Sequence, residues 1–570
     1  VPRPATYSLW ASRPVTLLLA VPVGGALWAA FPDQGWWPLG IVAVTLLHLA
    51  LGRDGAGWNF LVGLVAGLVF FLPHLWWALD ATAAVPWVAV SLLAALGPAV
   101  FGTVWTWARR LPWVRDREWA QVLAFATVWT AVEQWRSEVP FGGFPWGRLA
   151  WSVAGAPTGR AAWLGGTPLV SFVLAAAGVL LAVAVRHAAG AVRGRSGRRR
   201  HLGAAAVAVV VGGVGVLGPV WLPLPTAGDE RPVADPPVTD VVDVPDRSVF
   251  ADAGTGAQQS GVLRVGIVQG NVSEPGLGSF ANRAEVLNNH LDGTRDVADD
   301  VAARAARGEP DPGVDVVLWP ENGSDLDPQV AHDVARALDA ATERVGAPIL
   351  VGAQEYPETG GRYNVLLLWR DGQGVISRYA KQHPAPFGEY IPMRSFARLF
   401  SDQVDRVSTD MLAADNPPLI DLPSARLGRT VRLGTAICFE VAYDEILRDA
   451  VRRGAEVLVV PTNNASFGVT PQSTQQLQMT RLQAIASGRA AVQISTVGVS
   501  GVIAPDGTLV ARTGLFTADR ISAELPLRTT WTPAVAAGYW PGWVVSASGG
   551  LLALAGLAVG MHRRRLERAA

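Results

Sequence analysis

Eight long apolar runs constrain this chain more than any other feature. They lie near residues 14–31, 36–51, 57–79, 84–107, 119–136, 166–186, 203–221 and 540–561. A run of about 17–25 apolar residues is long enough to cross a hydrocarbon layer ~30 Å thick. The second run is short and reads as a tilted or partial span. Half of all residues are hydrophobic and only 16% are charged, which suits a membrane chain and not an ordinary soluble enzyme. The first run, between Arg3 and Arg13, looks like a signal-peptide core. With further spans behind it, it reads as a retained helix.

Positive charge sets the expected orientation. Arg186, Arg193, Arg195, Arg198, Arg199 and Arg200 fall between the sixth and seventh runs. Arg109, Arg110, Arg115 and Arg117 fall between the fourth and fifth, and Arg563, Arg564, Arg565 and Arg568 follow the eighth. All three clusters share one side if both chain ends are cytoplasmic. The segment between the seventh and eighth runs is then extracytoplasmic. A net charge of zero offers no basic field for nucleic acid.

That outer segment reads differently. Residues 222–261 are rich in Pro, Gly and Asp and read as a linker. From 262 onward, short apolar strands alternate with helical stretches. Strands are expected near 348–354, 363–370, 431–437, 456–461 and 490–496, and helices near 279–307, 328–345, 441–454 and 473–488. "APDGTLVART" reads as a hairpin around an Asp-Gly turn. The expected organisation is a membrane domain of about seven spans (1–221), a linker (222–261), an α/β sandwich domain (262–537), and an eighth span with a basic tail (538–570).

Three reactive groups stand where strands of this domain end. Glu321 follows "VVLW", Lys381 follows "GVISRYA" and Cys438 follows "VRLGTAI". Strand C-terminal ends are where open α/β folds assemble sites. Cys438 is the only cysteine, and Lys381 is the only lysine beside 46 arginines. Taken singly, each has a plain reading: a small buried hydrophobe, a survivor of codon drift, a helix cap. Together, at equivalent strand ends of one domain, they read as a site. A cysteine before a helix gains from the helix N-terminus, so a lowered thiol pKa is expected. One cysteine permits no intrachain disulfide, and no histidine spacing suggests a metal.

In order and separation, "WPEN", "KQHPAPFGEY" and "ICFE" resemble the Glu-Lys-Cys triad of the carbon–nitrogen hydrolase (nitrilase) superfamily. The eight runs with a domain between the seventh and eighth, together with "FGGFPWGRLAWS" and "NNASFG", resemble the apolipoprotein N-acyltransferases. The resemblance implies an extracytoplasmic nitrilase-like αββα sandwich beside a multi-span α-helical membrane domain. It implies Glu321 as general base, Cys438 as nucleophile and Lys381 as the cation of the transition state. Glu389 and Glu440 would support the site, and the Phe439 backbone N–H would serve the oxyanion. Phe387, Tyr390, Phe467, Trp146 and Arg148 are candidate substrate contacts. For Trp146 and Arg148 an interfacial belt is an equal reading. Phe467 stands beside Ser466, where the family often has tryptophan, and Phe439 stands where some relatives have tyrosine.

The implied reaction moves a fatty acyl chain from a membrane phospholipid to the N-terminal amine of a diacylglyceryl-modified apolipoprotein, through a Cys438 thioester. It needs no cofactor and no metal, and it places the chain in the cytoplasmic membrane. Two other readings compete: a membrane-anchored amidase using water, and a non-catalytic lipid or lipoprotein transporter. The transporter would put polar residues in its spans, and Glu133 is the main candidate.

Overall fold

The computed structural model describes residues 12–193, 197–226, 251–273 and 283–569. Arg3, Arg195, most of the linker read at 222–261 and the first residues of the helix read at 279–307 lie outside them. The chain divides into two units. One comprises 1–76, 84–222 and 537–570; the other comprises 77–83 and 223–536.

The first unit is helical, and among the described residues its eight long helices match the eight apolar runs. They are Arg13–Ala30, Pro38–Ala50, Ala56–His74, Ala84–Ala108, Glu118–Arg136, Ala162–Val192, Arg198–Leu217 and Trp540–Ala569. Six have the length and apolar character to cross a membrane. Pro38–Ala50 has only 13 residues, as its short run foretold. Glu118–Arg136 has 19 residues but a more polar composition. Small residues bring these helices together. A side chain at Gly63 would strike the Pro98 backbone, so Ala56–His74 and Ala84–Ala108 meet at a distance only glycine allows.

Glu133 and the 141–152 loop are integral to this helical packing. Glu133 is buried and accepts from Trp129 Nε1 at 2.9 Å and Leu149 N at 2.8 Å. It anchors a loop and leaves the transporter reading without its main residue. Trp146 and Arg148 are both buried. Arg148 donates to Ser137 Oγ and Thr167 Oγ1, each at 2.9 Å. Both of these candidate headgroup contacts therefore pack within the helical unit.

Among the described residues, the second unit has thirteen strands. They are β1 (Ala251–Asp252), β2 (Val262–Gln269), β3 (Val316–Leu318), β4 (Ile349–Glu355), β5 (Tyr363–Arg370), β6 (Gly374–Ala380), β7 (Leu419–Ser424), β8 (Arg429–Thr435), β9 (Val457–Thr462), β10 (Ala491–Ser495), β11 (Gly501–Ile503), β12 (Leu509–Arg512) and β13 (Asp519–Pro526). One sheet runs β1-β13-β2-β3-β4-β5-β6 and the other β12-β11-β10-β9-β8-β7. The central strands β2, β3 and β4 are parallel, as are β8, β9 and β10. Strands β11 and β12 form the expected antiparallel hairpin.

Alternation along the strands decides which residues face which layer. Leu263, Val265, Ile267, Val316, Leu318 and Leu350 turn inward, against Val431, Leu433, Val457, Val459, Val492 and Ile494 of the other sheet. Val317, Trp319, Ile349 and Val351 turn outward, with Val297, Val334 and Leu338 of the helices Arg283–Ala306 and His332–Val345. Helices Asp444–Arg452 and Gln472–Ser487 pack on the second sheet. The layers are therefore helix, sheet, sheet, helix. Each fully buried aliphatic side chain contributes about 1.5–3 kcal/mol to holding them together.

Two boundaries differ from the sequence reading. The third apolar run was read to 79, but its helix ends at His74, and Trp77–Ala83 belongs with the α/β unit. The linker reading of 222–261 included Ala251–Asp252. Those residues pair with β13, and a 3-10 turn follows at Thr255–Ala257. Composition showed the polar residues but not the sheet edge waiting for them.

Candidate active site

The ends of β3, β6 and β8 place Glu321, Lys381 and Cys438 beyond the parallel centre of the sandwich, and the structure brings them together. Lys381 is 1% exposed. Its Nζ donates to Glu389 Oε1 at 2.6 Å and lies 3.4 Å from Glu321 Oε1. Burial alone would lower the lysine pKa, but Glu321, Glu389 and Cys438 outweigh it and push the ammonium above its usual range. Lys381 is thus a fixed cation.

Glu321 is held from three directions. Its Oε1 accepts Asn364 Nδ2 at 2.6 Å from β5, besides Lys381. Its Oε2 accepts the Asn463 backbone N–H at 2.9 Å, just past β9. Glu389 reaches the lysine from a tight turn: its Oε2 accepts the Ala385 N–H at 2.6 Å, and the Phe387 N–H donates to Tyr390 O at 2.8 Å. Phe387, at φ +64°, is exposed on that turn, and Tyr390 is partly buried.

Cys438 opens the 3-10 turn Cys438–Ala442 with φ +54°. A left-handed, non-glycine residue costs about 1–2 kcal/mol, and such strain at a sharp strand-to-helix turn presents a nucleophile. The cysteine is 9% exposed. The expectation of a lowered thiol pKa is corrected. Burial first and Glu321 second push the thiol well above its usual range, and Lys381 only partly opposes them. A five-residue 3-10 turn does not supply the aligned dipole of a long helix. The thiol rests protonated, so a base must remove its proton.

Glu440 works as a joint. It is fully buried, and burial holds its carboxyl above the usual range despite Lys381. Its Oε1 accepts the Gln382 and His383 N–H groups at 2.7 and 3.0 Å, and its Oε2 accepts the Ile437 N–H at 2.7 Å. The Tyr379 hydroxyl adds a bond of 2.9 Å to Oε2. These bonds tie the residues flanking Lys381 to the residue before Cys438, whichever sheet each comes from. Phe439 follows the cysteine in the same turn.

Phe467 lies in the 3-10 turn Ala465–Phe467 after β9. Its ring meets Trp77 edge-on at 5.2 Å, and Trp77 Nε1 donates to Gln475 Oε1 at 3.3 Å. Sequence reasoning missed Trp77, Asn364, Asn463 and Tyr379. Among the described residues no cluster has the make-up of a metal site. Chemically, the site offers a protonated thiol, a positioned carboxylate and a fixed ammonium: the parts of covalent acyl transfer.

Known proteins match nearly all of the chain. Residues 23–180 match the apolipoprotein N-acyltransferase N-terminal domain, and residues 264–531 match the carbon-nitrogen hydrolase family. An apolipoprotein N-acyltransferase of Mycolicibacterium smegmatis is 35% identical over 95% of this chain and 84% of its own length. One of Azotobacter vinelandii is 27% identical over 98% of each chain. Among solved structures, a carbon-nitrogen hydrolase from Helicobacter pylori superposes with a TM-score of 0.33 at 16% identity, over 50% of this chain and 94% of its own.

Proposed function

The chain belongs to the apolipoprotein N-acyltransferase family, and from that membership we propose that it moves a fatty acyl chain from a membrane phospholipid to the N-terminal amine of a diacylglyceryl-modified apolipoprotein, using Cys438 as nucleophile. The observation that carries the reading is the buried cluster itself. One thiol, one ammonium and two carboxylates, Glu321 and Glu389, meet beyond the strand ends of an α/β unit attached to a multi-helix membrane unit.

In the first half-reaction Glu321 takes the Cys438 proton as the sulfur attacks the ester carbonyl carbon. A C–S bond forms, and the carbonyl electrons collect on an oxyanion. Lys381 and the Phe439 N–H are its donors. The ester C–O bond then breaks, and Glu321 returns the proton to the leaving lysophospholipid oxygen. In the second half the apolipoprotein amine attacks the thioester carbonyl. A C–N bond forms, the C–S bond breaks, and Glu321 carries a proton from the amine to the departing sulfur. Glu389 keeps Lys381 in place, and Glu440 holds the Lys381 loop to the Cys438 turn. Phe387, Tyr390 and Phe467 are the candidate contacts for the acyl chain.

The arginine clusters at 109–117, 186–200 and 563–568 support a cytoplasmic-membrane protein with both ends inside and the α/β unit outside. The test is intact-mass analysis of the purified chain after incubation with phospholipid. A fatty-acyl adduct on Cys438, released by hydroxylamine and absent from Cys438→Ala, is expected. Acyl transfer by Cys438→Ala, or by a wild-type chain that never carries the adduct, refutes the covalent route.

A further inference from the structure

The polar helix Gln472–Ser487 holds one amide that the mechanism above leaves unused. Gln476 is 0% exposed. Its helix packs against the Cys438–Ala442 turn. Gln483 shows which face does so: its Nε2 donates to Val441 O at 3.1 Å and to Asp444 Oδ1 at 3.0 Å. Gln476 lies seven residues earlier, two turns back on the same face, and its side chain is within hydrogen-bonding reach of the Cys438 thiol.

A chain of hydrogen bonds decides which end of the Gln476 amide points there. It starts from a backbone group whose polarity is fixed. The Gly498 N–H donates to Ser495 Oγ at 2.8 Å, so the Ser495 hydroxyl is left to donate onward, to Asn464 Oδ1. Thr462 Oγ1 reaches the same Oδ1 at 2.9 Å. Asn464 Nδ2 must then point the other way, where it donates to Gln472 Oε1 and, at 3.1 Å, to Gln476 Oε1. With Oε1 committed as acceptor, the remaining group of Gln476 is its NH2. That Nε2 is buried and meets no oxygen or nitrogen acceptor among the described residues. Gly498 keeps this relay tight, because a Cβ there would strike Asn464, Ser473 and Ser495.

We propose that Gln476 is a catalytic donor to Cys438: its Nε2–H bonds the sulfur as the thiolate forms, and again as the thiolate leaves the thioester. The first role concerns the thiol alone. The second rests on the acyltransferase reading. At rest its hydrogen bond already lowers the thiol pKa, against the larger upward pull of burial and Glu321. The charged groups that act on the sulfur are Glu321 after β3, Lys381 after β6 and Glu389 on its turn. All but Lys381 are carboxylates. Lys381 is engaged by Glu389 and Glu321, so a neutral donor can stabilise the thiolate where a second cation would be drawn to the carboxylates.

The test uses the full chain in detergent micelles and needs no lipid substrate, so its failure is distinct from failure of the acyltransferase reading. Cys438 is the only cysteine, so alkylation by iodoacetamide and by the smaller methyl methanethiosulfonate reports on it alone. Gln476→Met keeps the shape and removes the donor. Gln476→Glu keeps the acceptor that Asn464 needs, so the relay survives if the Met variant fails to fold. It replaces the donor with a carboxylate that opposes the thiolate further, so its slowing should be at least that of the Met variant. Hydrogen bonds to charged groups are worth enough to move a pKa by about one unit. Both variants are therefore expected to react about tenfold more slowly at pH 8 with both reagents. Unchanged rates, or a fall with iodoacetamide alone, overturn the proposal. In acyl transfer, the same variants should accumulate the Cys438 thioester, because the sulfur leaves less readily; equal acyl-enzyme levels in variant and wild type overturn the second role.

Discussion

Lys381 can be removed in two ways, and the two separate its structural from its chemical duty. Contacts of 2.6 and 3.4 Å to Glu389 and Glu321 correspond to about 6 and about 5 kcal/mol of attraction at an effective dielectric of about 20. Desolvation of the buried ions cancels most of this. What remains visible is the penalty for leaving partners unpaired, about 3–5 kcal/mol. Lys381→Met should therefore lower the melting temperature of the purified protein by about 6 °C, at roughly 1.5 °C per kcal/mol for a unit of this size. Adding Glu389→Gln removes the closer stranded charge and should restore most of that loss. It should not restore catalysis, because the oxyanion still lacks a donor worth about 3–4 kcal/mol, a factor of 100 or more in rate. The assays are thermal unfolding in micelles and single-turnover acyl transfer. A double variant that transfers acyl chains at close to the wild-type rate would show that Lys381 only neutralises carboxylates. A single variant as stable as wild type would show that the cluster is not a buried ion network.

Other outcomes follow from the same geometry. Lys381→Arg should fold yet lose acyl transfer by at least about 100-fold, since a planar fork cannot take the place of one nitrogen between Glu389 and Glu321; near-normal transfer refutes this. Asn364→Leu removes the 2.6 Å donor to Glu321 and should cut kcat by about 10–100-fold with KM unchanged, as steady-state kinetics with a lipopeptide acceptor would read. Tyr379→Phe leaves Glu440 its three backbone donors and should cost about 1 kcal/mol of stability with transfer nearly intact, measured by thermal unfolding. The folded thiol holds its proton more tightly than the unfolded thiol, whose ordinary value is 9.0. Stability should accordingly be flat below about pH 9 and fall above it, because only the unfolded state gains by losing that proton. Melting curves of wild type and Cys438→Ala should diverge only on that alkaline side.

The parts of the site legible in the sequence are those attached to a strand end. Glu321, Lys381 and Cys438 each follow an apolar run that reads as a buried strand, and the rarity of Lys and Cys draws attention to two of them. Asn364 and Asn463 carry no such signal: one lies inside β5, and the other contributes only its backbone. Trp77 was hidden because its apolar run continues past His74, and hydropathy does not say where a helix stops and a neighbouring unit begins. Gln476 had an available signal. "QSTQQLQMTRLQ" is polar on every face, and a helix of that kind is stable only when its polar groups are met by others; here they are met in the interior. The sign of the cysteine shift was misread because local sequence shows the turn after Cys438, while the burial and the Glu321 charge that outweigh it come from distant segments.

The charge balance of the cluster explains why a protonated resting thiol suits this chemistry. Glu321 and Glu389 both face the single Lys381 ammonium, so carboxyl groups outnumber cations around the thiol. Ionising Cys438 outright would add a further negative charge where burial makes each charge costly. Passing the thiol proton to Glu321 as sulfur attacks adds none: the negative charge moves from carboxylate to sulfur and then to the oxyanion, beside Lys381. The site therefore favours steps in which proton and electron pair move together. A neutral amide at the sulfur, which leaves that total unchanged, fits the balance better than any further ion would.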